Sequence, residues 1–454
     1  MKTYFSILAV AFFAAACSDN TSSSNANYDY TLLAGKNSIS DRSLKSFSHA
    51  NSNISKEELS NFRLGKSFFR IPWVQAPAST TARDGLGPLF NSNTCMSCHP
   101  NNGSGVAVNK KGEMNRSLLF RLALKNKTDI KNGLVPDPHY GAQLNINGNR
   151  HVPYEGKTRV EYTNLHMVYS DGTIKTLSKP SYSINDLQYG PFDKELIFSP
   201  RIGSILIGLG ELEAISTEAI LAHEDIEDEN EDGISGKANW VYSPESNKSV
   251  LGRFTWKASA ASVKYQVARA MINDMGLTNP YFPNENCSPF EQECLQSPKG
   301  KHEFDVPEKR LNAVTYYTSN LAVPKQEKAS NVIEGAKLFT QLSCVSCHVN
   351  SFTTKDGNVI HPFTDLLLHD MGQDLADEVT EFLAQGNEWR TAPLWGLGLR
   401  NTVSGAANYL HDGRAKSIEE AILWHGGEAR KSKKSFMNLA QKDRKSLLDF
   451  LNSL

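Results

Sequence analysis

Two pentapeptides decide the fold of this chain: CMSCH at residues 95–99 and CVSCH at residues 344–348. In each, two cysteines three positions apart fall on one helical turn, and a histidine follows directly. This pattern is the attachment signal of a c-type haem, because the two thiols can add to the two vinyl groups of one porphyrin while the histidine binds the iron. The sequence therefore predicts two covalently bound haem c groups, held by these residues: Cys95, Cys98, His99, Cys344, Cys347 and His348.

Two other interpretations of these cysteines are possible. The two Cys-x-x-Cys pairs could together hold one zinc ion. Each pair could also be a dithiol redox centre, although no βαβ pattern surrounds either one. Two motifs that both end in histidine, in a chain with an export-like leader, favour haem attachment.

The leader begins with Lys2 and an apolar stretch from Ile7 to Ala16, and it ends in AAAC at residues 14–17. Small residues before a cysteine resemble the lipobox of bacterial lipoproteins, in which Cys17 would become the lipidated first residue. An ordinary signal peptide cut nearby is the alternative. We expect a lipoprotein signal peptide at 1–17, a flexible linker at 18–55, and a location on the bacterial cell envelope with the lipid as the only membrane attachment.

Charge and the remaining cysteines narrow the possibilities further. With 48 basic and 49 acidic residues, the net charge of −1 gives no electrostatic case for nucleic acid as a partner. Cys287 and Cys294 enclose six residues that include Pro289, so we expect a local disulfide there. A redox dithiol is the weaker reading.

The sequence also contains an internal repeat. LGKSFF at residues 64–69 and EGAKLF at residues 334–339 resemble each other, and each precedes a CxxCH motif. We interpret them as two copies of one cytochrome unit, with a boundary near Pro324.

The expected fold is mainly α, with two cytochrome c-like domains at 56–325 and 326–454. Alternating patterns between about 125 and 200 indicate that an insertion with some β-structure enlarges the first domain. Helical periodicity resumes at 205–221, and most of the C-terminal part reads as helical.

Three further segments carry a family resemblance: LLLHDMG at 366–372, EWRTAPLWG at 388–396 and YLHDGRA at 409–415. They resemble the di-haem oxidoreductase family, some members of which are named thiol oxidoreductases, and the likeness runs from about Phe62 to Leu454. That family is similar to bacterial di-haem cytochrome c peroxidases and to the methylamine-utilisation di-haem enzyme.

The resemblance implies an oxidoreductase of the peroxidase type. An electron-donor protein or small cytochrome would supply electrons to the C-terminal haem. They would pass to the N-terminal haem, where peroxide or another small oxidant is reduced. The alternative is a non-enzymatic electron-transfer protein in which both irons have six ligands.

In the related peroxidases, the distal ligand of the C-terminal haem follows a His-Asp-Gly segment by fourteen residues. Counting from His411 leads to His425, so the resemblance implies an iron bound by His348 and His425. The alternative places His425 beside an open iron. His369 and His411 are expected to be structural or to contact haem propionates.

For the N-terminal haem, the resemblance implies a glutamate over the iron that moves a proton between the oxygens of bound peroxide. Glu213 matches the family position, and Glu211 lies two residues before it. A structural salt bridge on a buried helix is an equally good reading. His139, His166 and His223 are the candidate sixth ligands here.

A last candidate is a calcium site, because Asp228, Asn230 and Asp232 place oxygen side chains at alternate positions before a glycine. Position twelve of the loop is Asn239 rather than a bidentate glutamate. A solvated acidic loop is about as good an interpretation.

Overall fold

A computed structural model describes residues 30–108, 113–328 and 331–454. The leader at 1–17, with Cys17, lies outside the described residues. Within them, no helix is both long and apolar enough to cross a membrane. The α-helices are α1 (Lys56–Arg70), α2 (Cys95–Cys98), α3 (Leu209–Glu213), α4 (Thr217–Leu221), α5 (Val263–Met275), α6 (Gln292–Leu295), α7 (Glu308–Ser319), α8 (Val332–Gln341), α9 (Arg400–Ser404), α10 (Ile418–Trp424), α11 (Arg430–Asn438) and α12 (Gln441–Ser453).

The strands pair two by two. They are β1 (Ser38–Ile39) with β12 (Val323–Pro324), β2 (Val74–Gln75) with β3 (Asp84–Leu86), β4 (Leu89–Phe90) with β6 (Asn147–Gly148), β5 (Leu118–Leu124) with β9 (Leu196–Ile202), β7 (Lys157–Val168) with β8 (Ile174–Asn185), β10 (Trp240–Ser243) with β11 (Lys248–Leu251), β13 (Phe352–Thr353) with β14 (Val359–Ile360), and β15 (Leu368–Asp370) with β16 (Glu388–Arg390).

The expectation of a mainly α fold is wrong: the structure is 29% helical and 21% strand. The segment 205–221, expected as one helix, is broken into the single-turn helices α3 and α4. The C-terminal part, expected to be mostly helical, contains the strands β13 to β16 between residues 352 and 390. Short apolar runs can form strands as well as helices, and the periodicity of the sequence alone does not tell the two apart.

The internal repeat corresponds to two helix crossings of the same kind. Helix α1 packs against α7, and α8 packs against α12. A Cβ on Gly65 would lie 1.9 Å from the carbonyl oxygen of Ala313, and one on Gly335 would lie 2.1 Å from that of Ser446. Each repeat therefore supplies the glycine that lets two helices approach closely.

One hydrophobic core runs through both halves, from Tyr30 to Leu454. The linker expected at 18–55 is described from residue 30 onward, and here it is packed rather than free. Leu33 and Phe47 are fully buried, and β1 adds to β12 in parallel. Their apolar side chains belong to the common core.

The hairpin β7–β8 joins the two halves on the outside. At its tip the hydroxyl of Tyr169 donates to Glu419 at 2.7 Å, and Asp171 pairs with Arg444 at 2.6 Å. Further along, the hydroxyl of Tyr182 donates to Asp412 at 3.0 Å. The hairpin of the insertion therefore connects the N-terminal half to the C-terminal half through side-chain hydrogen bonds and an ion pair.

The local disulfide is present in the structure. Cys287 and Cys294 are bonded, with their Cα atoms 5.8 Å apart. The other described cysteines, those of the two CxxCH segments, are free.

Two candidate haem sites

A first cavity, called here the N-terminal cavity, has a volume of about 240 Å³ and is lined by Cys95, Cys98 and His99. Helix α2 carries the two cysteines on its single turn. Thr94 caps its start, since the side chain of Thr94 accepts a hydrogen bond from the backbone amide of Met96 at 3.3 Å. The CxxCH segment therefore brings both cysteines and the histidine to the wall of one cavity.

The second cavity, called here the C-terminal cavity, has a volume of about 200 Å³. It is lined by Cys344, Cys347 and His348 in the same way. His425, which follows α10, lines this cavity too. The two imidazoles predicted to share one iron are therefore brought to the same cavity.

Three histidines are held in the same orientation by main-chain carbonyls. The Nδ1 of His99 donates to Ser204 at 2.9 Å, that of His348 to Phe363 at 2.8 Å, and that of His425 to Ala421 at 2.7 Å. A carbonyl only accepts, so Nδ1 carries the hydrogen and Nε2 keeps its lone pair.

Burial lowers the pKa of all three imidazoles, in the case of His348 to about 4. Each is therefore neutral at ordinary pH. A neutral imidazole fixed through Nδ1 is the form that binds a metal through Nε2.

Close packing fixes the rings beneath the expected irons. A Cβ on Gly203 would lie 2.7 Å from Cε1 of His99, so any larger residue at this position would clash with the imidazole. Phe69 and Phe339, the last residues of the two repeated segments, pack 6.4 and 6.2 Å from the rings of His99 and His348. The repeat thus extends from the helix crossing to the histidine.

The zinc and dithiol readings do not fit this geometry. The two cysteine pairs line separate cavities, so they are not placed to hold one ion between them. Burial raises the pKa of Cys95 and of Cys344 to about 12, whereas redox dithiols need a lowered thiol pKa. Both findings agree with thiols that are used for covalent attachment.

A buried trio holds the segment that carries His425. Nε2 of His369 bonds Asp365 at 2.7 Å, and its Nδ1 bonds Glu428 at 2.6 Å. The other oxygen of Glu428 accepts from the amide of Asp370 at 3.0 Å. His369, expected to be structural or a propionate contact, thus ties the loop after His425 to β15.

His411 takes a different place in the same cavity. Its ring stacks on Trp389 with centroids 3.8 Å apart, and burial lowers its pKa to about 4. The ammonium of Lys257 lies 4.1 Å from the centre of the Trp389 ring. His411 is therefore a neutral packing residue on the cavity wall.

The N-terminal cavity has a more polar lining, and His99 is its one histidine among the described residues. Its acidic members are Asp274 and Glu381. Burial acts to raise the pKa of Glu381, but Arg201 and Arg269 outweigh it and hold that pKa well below its usual value.

Asp274 behaves in the opposite way. Burial raises its pKa to about 6, against the effect of the hydrogen bond at 2.8 Å that it accepts from Gln143. It is therefore the acid in this wall that can carry a proton near neutral pH. The sequence reading missed it, because a single aspartate on an amphipathic helix gives no signal of its own.

Glu211 and Glu213 are not placed over this cavity, contrary to the expectation. Helix α3 turns Leu209 and Leu212 toward the cavity, and residues one or two positions away point elsewhere. Glu211 is buried and accepts hydrogen bonds from the side-chain amides of Asn37 and Asn358, the second at 3.1 Å. Glu213 accepts from the amide of Val263 at 2.8 Å and so caps the start of α5.

The three candidate sixth ligands also lie elsewhere, since none of them lines either cavity. His139 stacks on Phe290 at 3.9 Å, His166 lies on the exposed hairpin, and His223 packs edge-on against Phe352.

The acidic loop uses its oxygens on its own backbone. Asp228 accepts from the amide of Gly233 at 3.1 Å, Asn230 from that of Asp232 at 2.9 Å, and Asp232 from that of Ile234 at 2.9 Å. In the part of the chain that the structure describes, no three His, Cys, Asp or Glu side chains are grouped to hold a metal ion. The geometry is that of a closed turn.

Both cavities have the groups that a haem needs: a thiol pair for attachment, an oriented neutral imidazole and largely apolar walls. They also contain buried guanidinium groups, and Nε of Arg400 has no hydrogen-bond partner among the described residues. A buried cation with unused donors calls for an anion, which the propionates of a haem supply.

Two cavities, each lined by a CxxCH segment and joined by one core, define a protein with two candidate haem sites. Residues 34–454 match the family described as "Di-haem oxidoreductase, putative peroxidase", and the chain belongs to that family. A search among curated proteins finds no match.

Proposed function

We propose that this chain is an exported peroxidase with two covalently attached haem c groups. The C-terminal site would receive electrons from a donor protein or small cytochrome, and the N-terminal site would deliver them to the oxidant. The overall reaction is the reduction of one peroxide by two electrons and two protons to two waters. The haems supply the redox chemistry, and the chain supplies ligands, attachment and proton transfer.

The observation that carries this proposal is the unequal supply of imidazoles. In the C-terminal cavity, His348 and His425 both keep Nε2 free for an iron, which favours a filled coordination suited to electron transfer. In the N-terminal cavity His99 is the one histidine among the described residues. An iron with a free position is the kind that can bind peroxide.

We assign the proton transfer to Asp274 rather than to a glutamate on α3. Its carboxyl lines the N-terminal cavity, and a pKa of about 6 lets it both hold and release a proton near neutrality. Gln143 orients it, and Arg121 in turn donates to the side-chain oxygen of Gln143 at 3.4 Å.

The oxidised protein tests this proposal by its absorption spectrum. We expect a high-spin population that cyanide converts to low spin, together with a low-spin population that cyanide leaves unchanged. Two low-spin haems that do not respond to cyanide would contradict a peroxidase. Covalent attachment is checked separately, because acidified acetone extracts any haem that is not bonded to the chain.

A second candidate, electron transfer without catalysis, is favoured by one observation. Met271 and Met275 of α5 also line the N-terminal cavity, and a thioether is a common sixth ligand of c-type haems. Met271→Ala and Met275→Ala would then turn a low-spin haem into a high-spin one. In the peroxidase that we propose, neither change alters the spin state.

For the location we propose the bacterial cell envelope, with lipid on Cys17 as the attachment. The support is the leader sequence together with the disulfide between Cys287 and Cys294, which is typical of an oxidising compartment. Metabolic labelling with a radioactive fatty acid should mark the wild-type chain and spare Cys17→Ser.

A further inference from the structure

The two cavities share part of their walls. Four residues line both of them: Trp256, Arg390, Ala392 and Arg400. Two of the four are arginines, and both are buried. The barrier between the sites therefore contains two guanidinium groups that can act on either side.

The contacts of Arg390 leave its charge without a counter-ion. Its Nε donates to the carbonyl of Thr255 at 2.8 Å, and its Nη1 donates to the carbonyl of Thr391 at 2.9 Å. It forms no ion pair among the described residues. The carboxylate of Asp365 acts on it from a distance but is bonded to His369 at 2.7 Å.

Arg400 is more isolated still. Its Nη1 donates to the carbonyl of Asn408 at 2.8 Å, and the guanidinium lies 4.8 Å from the ring centre of Tyr409. Its Nε is buried with no hydrogen-bond partner, and in the described ranges it has no ion pair. Burial lowers the pKa of Arg390 and of Arg400 to about 10, so both stay charged.

Another buried arginine of the N-terminal cavity shows what a fully paired one looks like here. Arg201 pairs with Glu381 and, at 3.2 Å, with Asp377. An unpaired buried charge is costly, so the shared wall is expected to have anions next to it that the chain does not provide.

We propose that Arg390 and Arg400 are common counter-ions for the propionates of both haems, so that the same two charges set both reduction potentials. The inference rests on the proposed function in one respect, namely that a haem occupies each cavity. A nearby positive charge favours the ferrous state, because reduction removes one positive charge from the iron. A guanidinium that lines both cavities acts on both irons.

The test compares charge-removing and charge-keeping variants by spectroelectrochemical titration of the haem-loaded protein. Arg390→Gln and Arg400→Gln should each lower both potentials, with about a tenfold shift toward the oxidised form at each haem, or 59 mV for a one-electron couple. Arg390→Lys and Arg400→Lys keep the charge and should restore most of the loss.

Arg121→Gln is the matched control. Arg121 is also buried and without an ion pair among the described residues, but it lines the N-terminal cavity and not the other. Its loss should lower one potential and leave the second in place. The two haems are told apart by their spectra during the titration.

A shift confined to one haem in both glutamine variants would overturn the inference, as would lysine variants that lose as much as the glutamine ones. Haem staining of each denatured variant keeps the proposed function separate: two attached haems with unmoved potentials refute the shared counter-ions alone. A wild-type chain without attached haem refutes the proposed function itself. If one glutamine variant does not bind haem, the potentials of the corresponding lysine variant and of the variants at the other arginine still test the inference.

Discussion

Among the described residues, the N-terminal cavity has one imidazole that is held through Nδ1 with Nε2 free, that of His99, and the C-terminal cavity has two, those of His348 and His425. The N-terminal cavity has instead a wall with Asp274 and its partner Gln143. The two sites are built on the same repeat of glycine, phenylalanine and CxxCH. What separates them is the lining that other segments contribute, which shows that one repeated unit can stand in two chemically different cavities.

The largest effect is expected from removing the second imidazole. His425→Ala should convert the C-terminal haem from low to high spin, because among the described residues of that cavity only the proximal His348 would still be held through Nδ1 with Nε2 free. The absorption spectrum of the oxidised protein measures the change. His411→Ala is the control: it lines the same cavity but stacks on Trp389, so the spectrum should stay low-spin. An unchanged spectrum of His425→Ala would mean that His425 is not an iron ligand, and the two cavities would then not differ in their number of imidazole ligands.

The next effect concerns the N-terminal cavity. Asp274→Asn should slow peroxide turnover by about 10²-fold, the usual contribution of a positioned acid–base group, with both haems still attached. Steady-state assays with hydrogen peroxide and a reduced small cytochrome measure it. Glu213→Gln should keep its activity, since Glu213 caps α5 outside the cavity. If Asp274→Asn kept its activity and Glu213→Gln lost it, Glu213 of α3 would be the proton-transfer group instead.

Asp274 should also make stability depend on pH. Its pKa in the folded chain is about 6, above the ordinary 3.8, so the folded state binds the proton more tightly. The free energy of unfolding should therefore fall as pH rises from about 4 to about 6, by up to about 3 kcal/mol. Urea titrations of the haem-loaded wild type and of Asp274→Asn test this: the stability of the wild type relative to the variant should fall between about pH 4 and about pH 6 and stay level on either side. A stability difference that does not change with pH would mean that folding does not shift the pKa of Asp274.

The smallest effects test what the cavities have in common. Gly65→Ala and Gly335→Ala place a methyl group against a helix backbone, so each should destabilise the chain by about 1–3 kcal/mol in denaturant unfolding. Ser60→Ala, on the exposed side of α1, should be close to neutral. If one glycine variant is harmless, the two helix crossings are not equivalent.

The sequence was sufficient for features that depend on local spacing. The CxxCH segments, the repeat and the disulfide between Cys287 and Cys294 follow from residues that are neighbours in the chain. His425 was reached by resemblance, and the structure brings it to the cavity of His348. What these features share is that a few adjacent residues determine the geometry.

The rest depends on direction and on distant contacts. On a helix of one turn, a shift of one residue changes the face on which a side chain lies. For this reason Glu213 was expected in the N-terminal cavity, although it lies outside it. Asp274 and Arg400 acquire their character from burial beside residues far along the chain, which periodicity does not report. Strand was expected only in the insertion at about 125–200, and strands outside it were missed for the same reason: β5, for example, pairs with β9 across more than seventy positions.

The segment from Tyr30 to Arg42 has a consequence for resistance to proteolysis. The carbonyl of Leu33 accepts from the amide of His361 at 2.7 Å, and the guanidinium of Arg42 donates to the carbonyl of Ser453 at 3.1 Å. This segment therefore docks on residues that lie more than three hundred positions further along the chain. Removing α12 would take away the carbonyl of Ser453, and an undocked segment of this kind is open to proteolytic cleavage.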